Sequence, residues 1–136
     1  MTSDTTPLEE WHCLRLLAKS SIGRVVYTVG ALPAVLPVRY RLDDDGSVLF
    51  RTAAGSEFLR AVADALVAFQ ADEVNDVGGT SGSGWSVTVL GRAEVAPRSR
   101  PPEDGSRAPA ADQITVRIRP EWVTGRLLPD LPHPPP

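Results

Sequence analysis

Apolar residues recur along this chain at two different periods, and the places where the period changes divide it into elements. Trp11, Leu14, Leu17 and Ala18 fall at helical spacing behind Thr6-Pro7-Leu8-Glu9, a capping-box pattern with proline at the first helical position. A first helix is predicted over about Pro7 to Ser20. From Gly23 to Val29 the residues turn to Val, Tyr and Thr, and Ala34, Leu36, Val38, Tyr40 and Leu42 then alternate with Val35, Pro37, Arg39 and Arg41. These are two strands joined near Gly30-Ala31-Leu32-Pro33. Proline cannot donate to a ladder, so Pro37 puts the second strand at an edge or interrupts it, leaving backbone groups free for a ligand or a second subunit. Asp43-Asp44-Asp45-Gly46 reads as a solvated tight turn, because nothing nearby supplies further ligands at calcium-loop spacing. It leads into a strand over Val48 to Thr52.

A helix of about two turns, Ser56 to Asp64, carries Phe58, Leu59 and Val62 as its apolar stripe, and a fourth strand covers Leu66 to Ala71. Gly78, Gly79, Gly82 and Gly84 make Asp72 to Ser83 a mobile loop. It is no nucleotide fingerprint: Gly82-Ser83-Gly84 lacks the third glycine of a dinucleotide loop, and no Gly-Lys-Ser/Thr follows. Alternation resumes with Trp85, Val87, Val89, Gly91, Ala93 and Val95 on one face, Gly91 marking a bulge or a close backbone approach. Pro97 to Asp112 is a flexible, Pro- and Arg-rich loop. The last strand, Gln113 to Arg119, points Ile114, Val116 and Ile118 inward, with Arg117 and Arg119 on a solvated or dimer-contacting face. Pro120-Glu121-Trp122-Val123 then begins a helical turn, and residues 128–136 form a disordered Pro-rich tail. Residues 1–127 are thus one domain. Six strands and two helices around so small a core are best satisfied by a closed or nearly closed antiparallel barrel with helices over its openings.

Composition narrows the chemistry. The 136 residues, 42% hydrophobic, suffice for a single core. A net charge of -3, with Lys19 the only lysine, disfavours nucleic acid as a partner. No apolar run is long enough to span a membrane and the N-terminus has no signal-peptide pattern, so a cytoplasmic location is expected. Cys13 is the only cysteine, and His12 and His133 are the only histidines, so neither an intrachain disulfide nor a zinc cluster within one chain can be assembled. Adjacent residues on a helix point about 100° apart, so His12 beside Cys13 is read as ordinary helix packing. The sharpest chemical feature is the strand-to-helix junction Phe50-Arg51-Thr52-Ala53-Ala54-Gly55-Ser56, where Arg51 and Thr52 as donors, together with a helix opened by Ser56, could hold a phosphate. Glu57, a carboxylate in the first turn, opposes it.

Order and motif together resemble the pyridoxamine 5'-phosphate oxidase-like, flavin-binding split-barrel family. The resemblance lies in Ile22-Gly23-Arg24-Val25, Leu36-Pro37-Val38, Phe50 to Ser56, Val67-Ala68-Phe69, Gly84 to Ala93, Val116 to Pro120 and Val123-Thr124-Gly125-Arg126, and spans about residues 8 to 127. It implies a mainly β fold, a six-stranded antiparallel split barrel of Greek-key type with an N-terminal helix and a short helix between strands 3 and 4. It further implies a homodimer with FMN in two interfacial grooves and a small-molecule substrate. By the same resemblance Leu36, Pro37, Val38 and Arg39 line the flavin ring, Arg51, Thr52, Gly55 and Ser56 hold the phosphate, Gln70 reaches a flavin edge, and Trp85 and Ser86 complete the groove from the neighbouring subunit or pack beneath it. No side-chain acid or base is implied, because in such proteins the flavin performs the electron transfer. The chain departs from the family at Glu57, where a lysine normally stands. A carboxylate facing one phosphate charge at about 5 Å costs about 3 kcal/mol at an effective dielectric of about 20. Three functions remain open on these residues: an FMN-dependent oxidoreductase, a reductase using a deazaflavin whose acidic tail would need Arg39, Arg41 or Arg60, and a non-enzymatic barrel that has lost flavin.

Overall fold

The computed structural model describes residues 6–74, 84–96 and 113–128; residues 75–83 of the expected loop over 72–83, the loop over 97–112, and residues 129–136 of the expected tail over 128–136 lie outside these. Its elements run β1 (Thr6–Pro7), α1 (Glu10–Lys19), β2 (Ile22–Val29), β3 (Leu32–Leu42), β4 (Val48–Ala53), α2 (Glu57–Val62), β5 (Leu66–Val74), β6 (Gly84–Val95) and β7 (Gln113–Leu128). The strands form one antiparallel sheet in the order β1-β7-β4-β3-β2-β5-β6, and a further β6–β7 pairing closes six of them into a barrel. This is the expected six-stranded Greek-key architecture, and the added β1 is a two-residue edge pairing Thr6 and Pro7 with Leu127 and Arg126.

Alternation decides what fills the barrel. Val25, Tyr40, Val48, Phe50, Val67, Phe69, Ala71, Trp85, Val87, Val89, Ala93, Val116 and Ile118 point inward and are buried. Phe58 of α2 packs edge-on against Tyr27, with ring centroids 4.9 Å apart, and lies 5.9 Å from Phe50, so the short helix plugs one opening. At α1, Cys13 and Leu17 are fully buried, and the Tyr40 hydroxyl donates to the Leu17 carbonyl at 2.6 Å, tying helix to barrel. Burial pushes the Cys13 thiol and the Tyr40 phenol above their ordinary values.

Several boundaries move. The first helix starts at Glu10, three residues late, because Thr6 and Pro7 are taken up in pairing with β7, and Glu9 at the N-cap makes no side-chain cap. The second helix stops at Val62, with Asp64 at φ 60 turning the chain. The fourth strand continues to Val74 because Asp72, Glu73 and Val74 pair with Ser86, Trp85 and Gly84 of β6. No helical turn forms at Pro120: β7 runs unbroken through it to Leu128. Leu90 pairs with Trp122 and Gly91 with Pro120, so Glu121 is the extra residue of a bulge that accommodates a proline lacking an N–H. Gly91 is required there, since a Cβ on it would lie 1.9 Å from the Arg119 carbonyl oxygen.

Candidate functional site

The barrel is split between β3 and β4. Only Tyr40, Arg41 and Leu42 of β3 pair with β4, opposite Phe50, Leu49 and Val48, whereas β4 stays paired with β7 as far as Ala53. Leu32 to Arg39 therefore diverge from Arg51 to Ala53, and β3 has no strand partner on that side among the described residues. A cleft of about 830 Å³ occupies the gap. Leu36, Val38 and Phe50 reach it from the barrel side; Pro37, Arg39, Arg41, Leu49, Arg51 and Arg117 reach it from the outer face.

The register arranges the outer face in rows. Arg41, Leu49 and Arg117 are direct neighbours across β3, β4 and β7, and Arg51 pairs with Thr115 one row on. Leu49 points away from the core yet is only 6% exposed, as expected of a floor covered by arginine stems. Arg117 is held by Asp43 at 2.8 Å and Asp45 at 3.3 Å. The Ser47 backbone N–H, 2.9 Å from Asp45, is the main cause holding that carboxyl below its usual range, with Arg117 adding to it. Arg39, Arg41 and Arg51 form no salt bridge among the described residues. The cleft thus joins an apolar wall to three cations that have no carboxylate partner among the described residues, a donor set suited to a planar apolar ring that carries an anionic group.

The junction after β4 is built differently from what the sequence suggests. Thr52 is half-buried and does not line the cleft, because consecutive strand residues point to opposite faces. Gly55 turns the chain at φ 74, Ser56 caps α2 by accepting the Leu59 N–H at 3.0 Å, and Arg60 folds back to donate to the Gly55 carbonyl at 3.0 Å. Glu57 is exposed. Of Arg51, Thr52, Gly55 and Ser56, the residues expected to hold a phosphate, only Arg51 lines the cleft.

The remaining candidates sit on β5 and β6. Gln70 donates to Asp72 at 3.2 Å and to Ser86 at 3.1 Å, and it accepts from Arg24 at 2.9 Å. Arg24 pairs across the sheet with both Pro37 and Gln70, so Gln70 sits two strands, about 10 Å, from the Pro37 wall on the same outer face, with Arg24 between them. Trp85 is buried inside the barrel, on the opposite side of its strand from Ser86. Within one chain Leu36 to Arg39 and Arg51 come together, Gln70 and Ser86 form a second group, and Trp85 belongs to the core. Leu49 and Arg117 carried no signal as site residues in the sequence, where one is an ordinary strand leucine and the other a surface arginine; strand register alone brings them to the cleft floor.

A family model for pyridoxamine 5'-phosphate oxidase matches residues 9–130. An uncharacterised protein of Mycobacterium tuberculosis is 38% identical over 135 residues, covering 90% of this chain and 84% of the relative. Among solved structures, the FAD binding protein of Mycobacterium smegmatis is 32% identical, covers 91% of this chain and 98% of its own, and superposes with a TM-score of 0.70. A FAD-binding protein of Mesorhizobium loti is 24% identical with a TM-score of 0.69, covering 90% of this chain and 96% of its own, and speaks for the fold alone.

Proposed function

Since the chain belongs to the pyridoxamine 5'-phosphate oxidase family, whose model spans nearly all of its described residues, we propose that it is a flavin-binding split barrel, taking FMN and serving electron transfer between that flavin and a small molecule. The observation that carries this reading is the cleft itself, in which Leu36, Pro37 and Val38 stand beside Arg39 and Arg51. When bound, the flavin supplies the redox chemistry. The chain's residues do the rest. Leu36, Pro37 and Val38 would bind the ring against an apolar wall and exclude water, and the unpaired β3 edge would offer it backbone groups. Arg51 would take the phosphate as a charge-assisted donor, with Gly55 and Ser56 shaping the loop behind it. The M. smegmatis relative is described as binding FAD, so the dinucleotide is the competing flavin, and a deazaflavin makes the same demand on the arginines.

The reading includes a homodimer. Val35, Val26, Ala68, Leu90 and Trp122 stand in one cross-strand row on the outer face, and Val35 and Trp122 are 57% and 62% exposed. A second copy seated there would cover an apolar stripe that a monomer leaves in water. It would also bring Gln70 and Ser86 toward a cleft they do not reach within one chain.

Purified protein is expected to carry or take up flavin visible in its absorption spectrum. FMN at a hundred times its Kd should stabilise the fold by about 2.7 kcal/mol, roughly 10 °C in Tm for a domain of this size. Colourless protein whose Tm does not move with FMN, FAD or a deazaflavin would leave the non-enzymatic barrel as the reading. Glu57→Lys is expected to tighten FMN binding by about tenfold, as a cation replaces an anion near the phosphate end. An unchanged Kd, measured by fluorescence quenching, would place residue 57 away from the phosphate.

A further inference from the structure

The hairpin of β2 and β3 outruns the sheet it belongs to. On β2, Arg24, Val25 and Val26 pair with β5, and β3 pairs with β4 from Tyr40 onward. Beyond these, Tyr27 to Ala34 pair only with each other among the described residues, with Val29 opposite Leu32 at the tip and Gly30 turning the chain at φ 61. Phe58 of α2 backs this arm at its root, Tyr27. A two-stranded ribbon is marginal in water by itself, and a surface hairpin ordinarily sets polar residues on its solvent face. This one does not: the ten residues Val29 to Val38 carry no polar side chain. Val29 and Leu32 stand on the face that Val25 directs into the barrel, yet they are 53% and 72% exposed. Pro33 and Val35 stand on the outer face with Val26 and are exposed as well. Both faces of the tip are therefore apolar and open to water.

The backbone and the neighbouring surface select the partner. The Tyr40 N–H donates to the Ser21 carbonyl at 2.9 Å and the Asp43 N–H to the Ser47 carbonyl at 2.8 Å, so even-numbered residues of β3 turn their backbone groups to β2 and odd-numbered ones to the other edge. On that edge Pro33 and Pro37 have no N–H, which leaves Val35 as the one donor between them. An extended peptide adding itself as a strand would meet a broken ladder, so whatever covers the arm packs on its side chains. The apolar row from Val35 to Trp122 begins on this arm. Three of its five residues, Val26, Ala68 and Leu90, are already half-buried, so the row by itself offers far less than the about 800 Å² per partner of a stable interface. The arm is apolar surface continuous with the row through Val35, and a two-fold contact counts it once from each copy. We infer that residues Tyr27 to Ala34 form a clasping arm between two copies of this chain: in a dimer built on the row, the partner covers Pro33 and Val35 and closes over Val29 and Leu32 at the tip. The inference rests on the dimer reading above and adds to it the element that grips the partner.

Sedimentation of the wild-type protein over a range of concentrations gives the dimer Kd, and hydrogen exchange of the segment Tyr27 to Val38 is then followed above and below it. Exchange there is expected to slow about tenfold or more in the dimer. Val29→Ser combined with Leu32→Ser, which alters neither the row nor a residue lining the cleft, is expected to raise the dimer Kd about a hundredfold. Val74→Ser, at a comparably exposed apolar position toward the other end of β5, should leave it unchanged. Circular dichroism checks that the double variant is folded, and the exchange measurement needs no variant. A dimer whose arm exchanges as fast as in the monomer, or whose Kd the double variant raises no more than Val74→Ser does, overturns the arm and leaves the dimer reading standing. Protein that sediments as a monomer throughout overturns both. Arm exchange that slows on phosphatidylcholine vesicles and not on dimerisation would give the arm to a lipid surface and overturn the proposal.

Discussion

Single residues in this protein act mostly through what their backbone neighbours allow. Gly91 is the clearest case: a Cβ would fall 1.9 Å from the Arg119 carbonyl oxygen at the β7 bulge, so Gly91→Ala must push two paired strands apart. A loss of about 3 kcal/mol is expected in urea unfolding, more than an ordinary small-to-large change at a surface strand position. Tyr40→Phe is expected to cost about 1 kcal/mol, the net worth of one buried hydrogen bond, because the Leu17 carbonyl keeps the Ser20 N–H as a partner at 3.2 Å. Burial raises the Tyr40 pKa in the folded state, so its contribution is intact below about pH 10, the ordinary phenol value, and is lost as pH rises past it. Stability measured above pH 10 should therefore fall less steeply in Tyr40→Phe. At this scale the sequence made Gly91 legible as a bulge or close approach, since a glycine within an alternating strand has few other uses. It did not make Leu49 legible, because an outward leucine is indistinguishable from an inward one until the register is known.

Elements whose pattern is satisfied locally kept their predicted identity, and those that depend on a distant partner changed. The apolar stripe Phe58, Leu59 and Val62 makes α2 a helix, and Ser56 caps it through its own Leu59 N–H. Ser56→Ala is expected to cost about 1 kcal/mol and to loosen the turn behind Arg51, seen as faster amide exchange at Leu59. Thr6-Pro7-Leu8-Glu9 reads locally as a helix start, but pairing of Thr6 and Pro7 with β7 claims those residues first. Pro120 reads locally as a strand end, yet the β6 partner carries the strand past it by way of the Glu121 bulge. In each case a ladder supplied by another part of the chain outweighs a propensity of a few tenths of a kcal/mol per residue.

For the whole molecule the decisive event is the parting of β3 from β4 after three residue pairs, since this opens the cleft. The exposed row from Val35 to Trp122 leads to a prediction at the same scale: the protein should sediment as a dimer, and the paired change Val35→Arg and Trp122→Arg should shift it toward monomer. If Gln70 and Ser86 complete the partner's groove, flavin affinity should fall in that variant by about tenfold or more, although no cleft residue has been altered. The sequence by itself determined the alternation, the six barrel strands, the family and the cation-rich faces of β3 and β7, because these follow from residue order and from side-chain period. Only the tertiary structure decided which cations share a cleft, and that Arg117 is neutralised while Arg39, Arg41 and Arg51 have no described partner. The physical reason is that strand register and barrel closure are set by contacts between residues far apart in the chain, and a shift of one residue reverses every face.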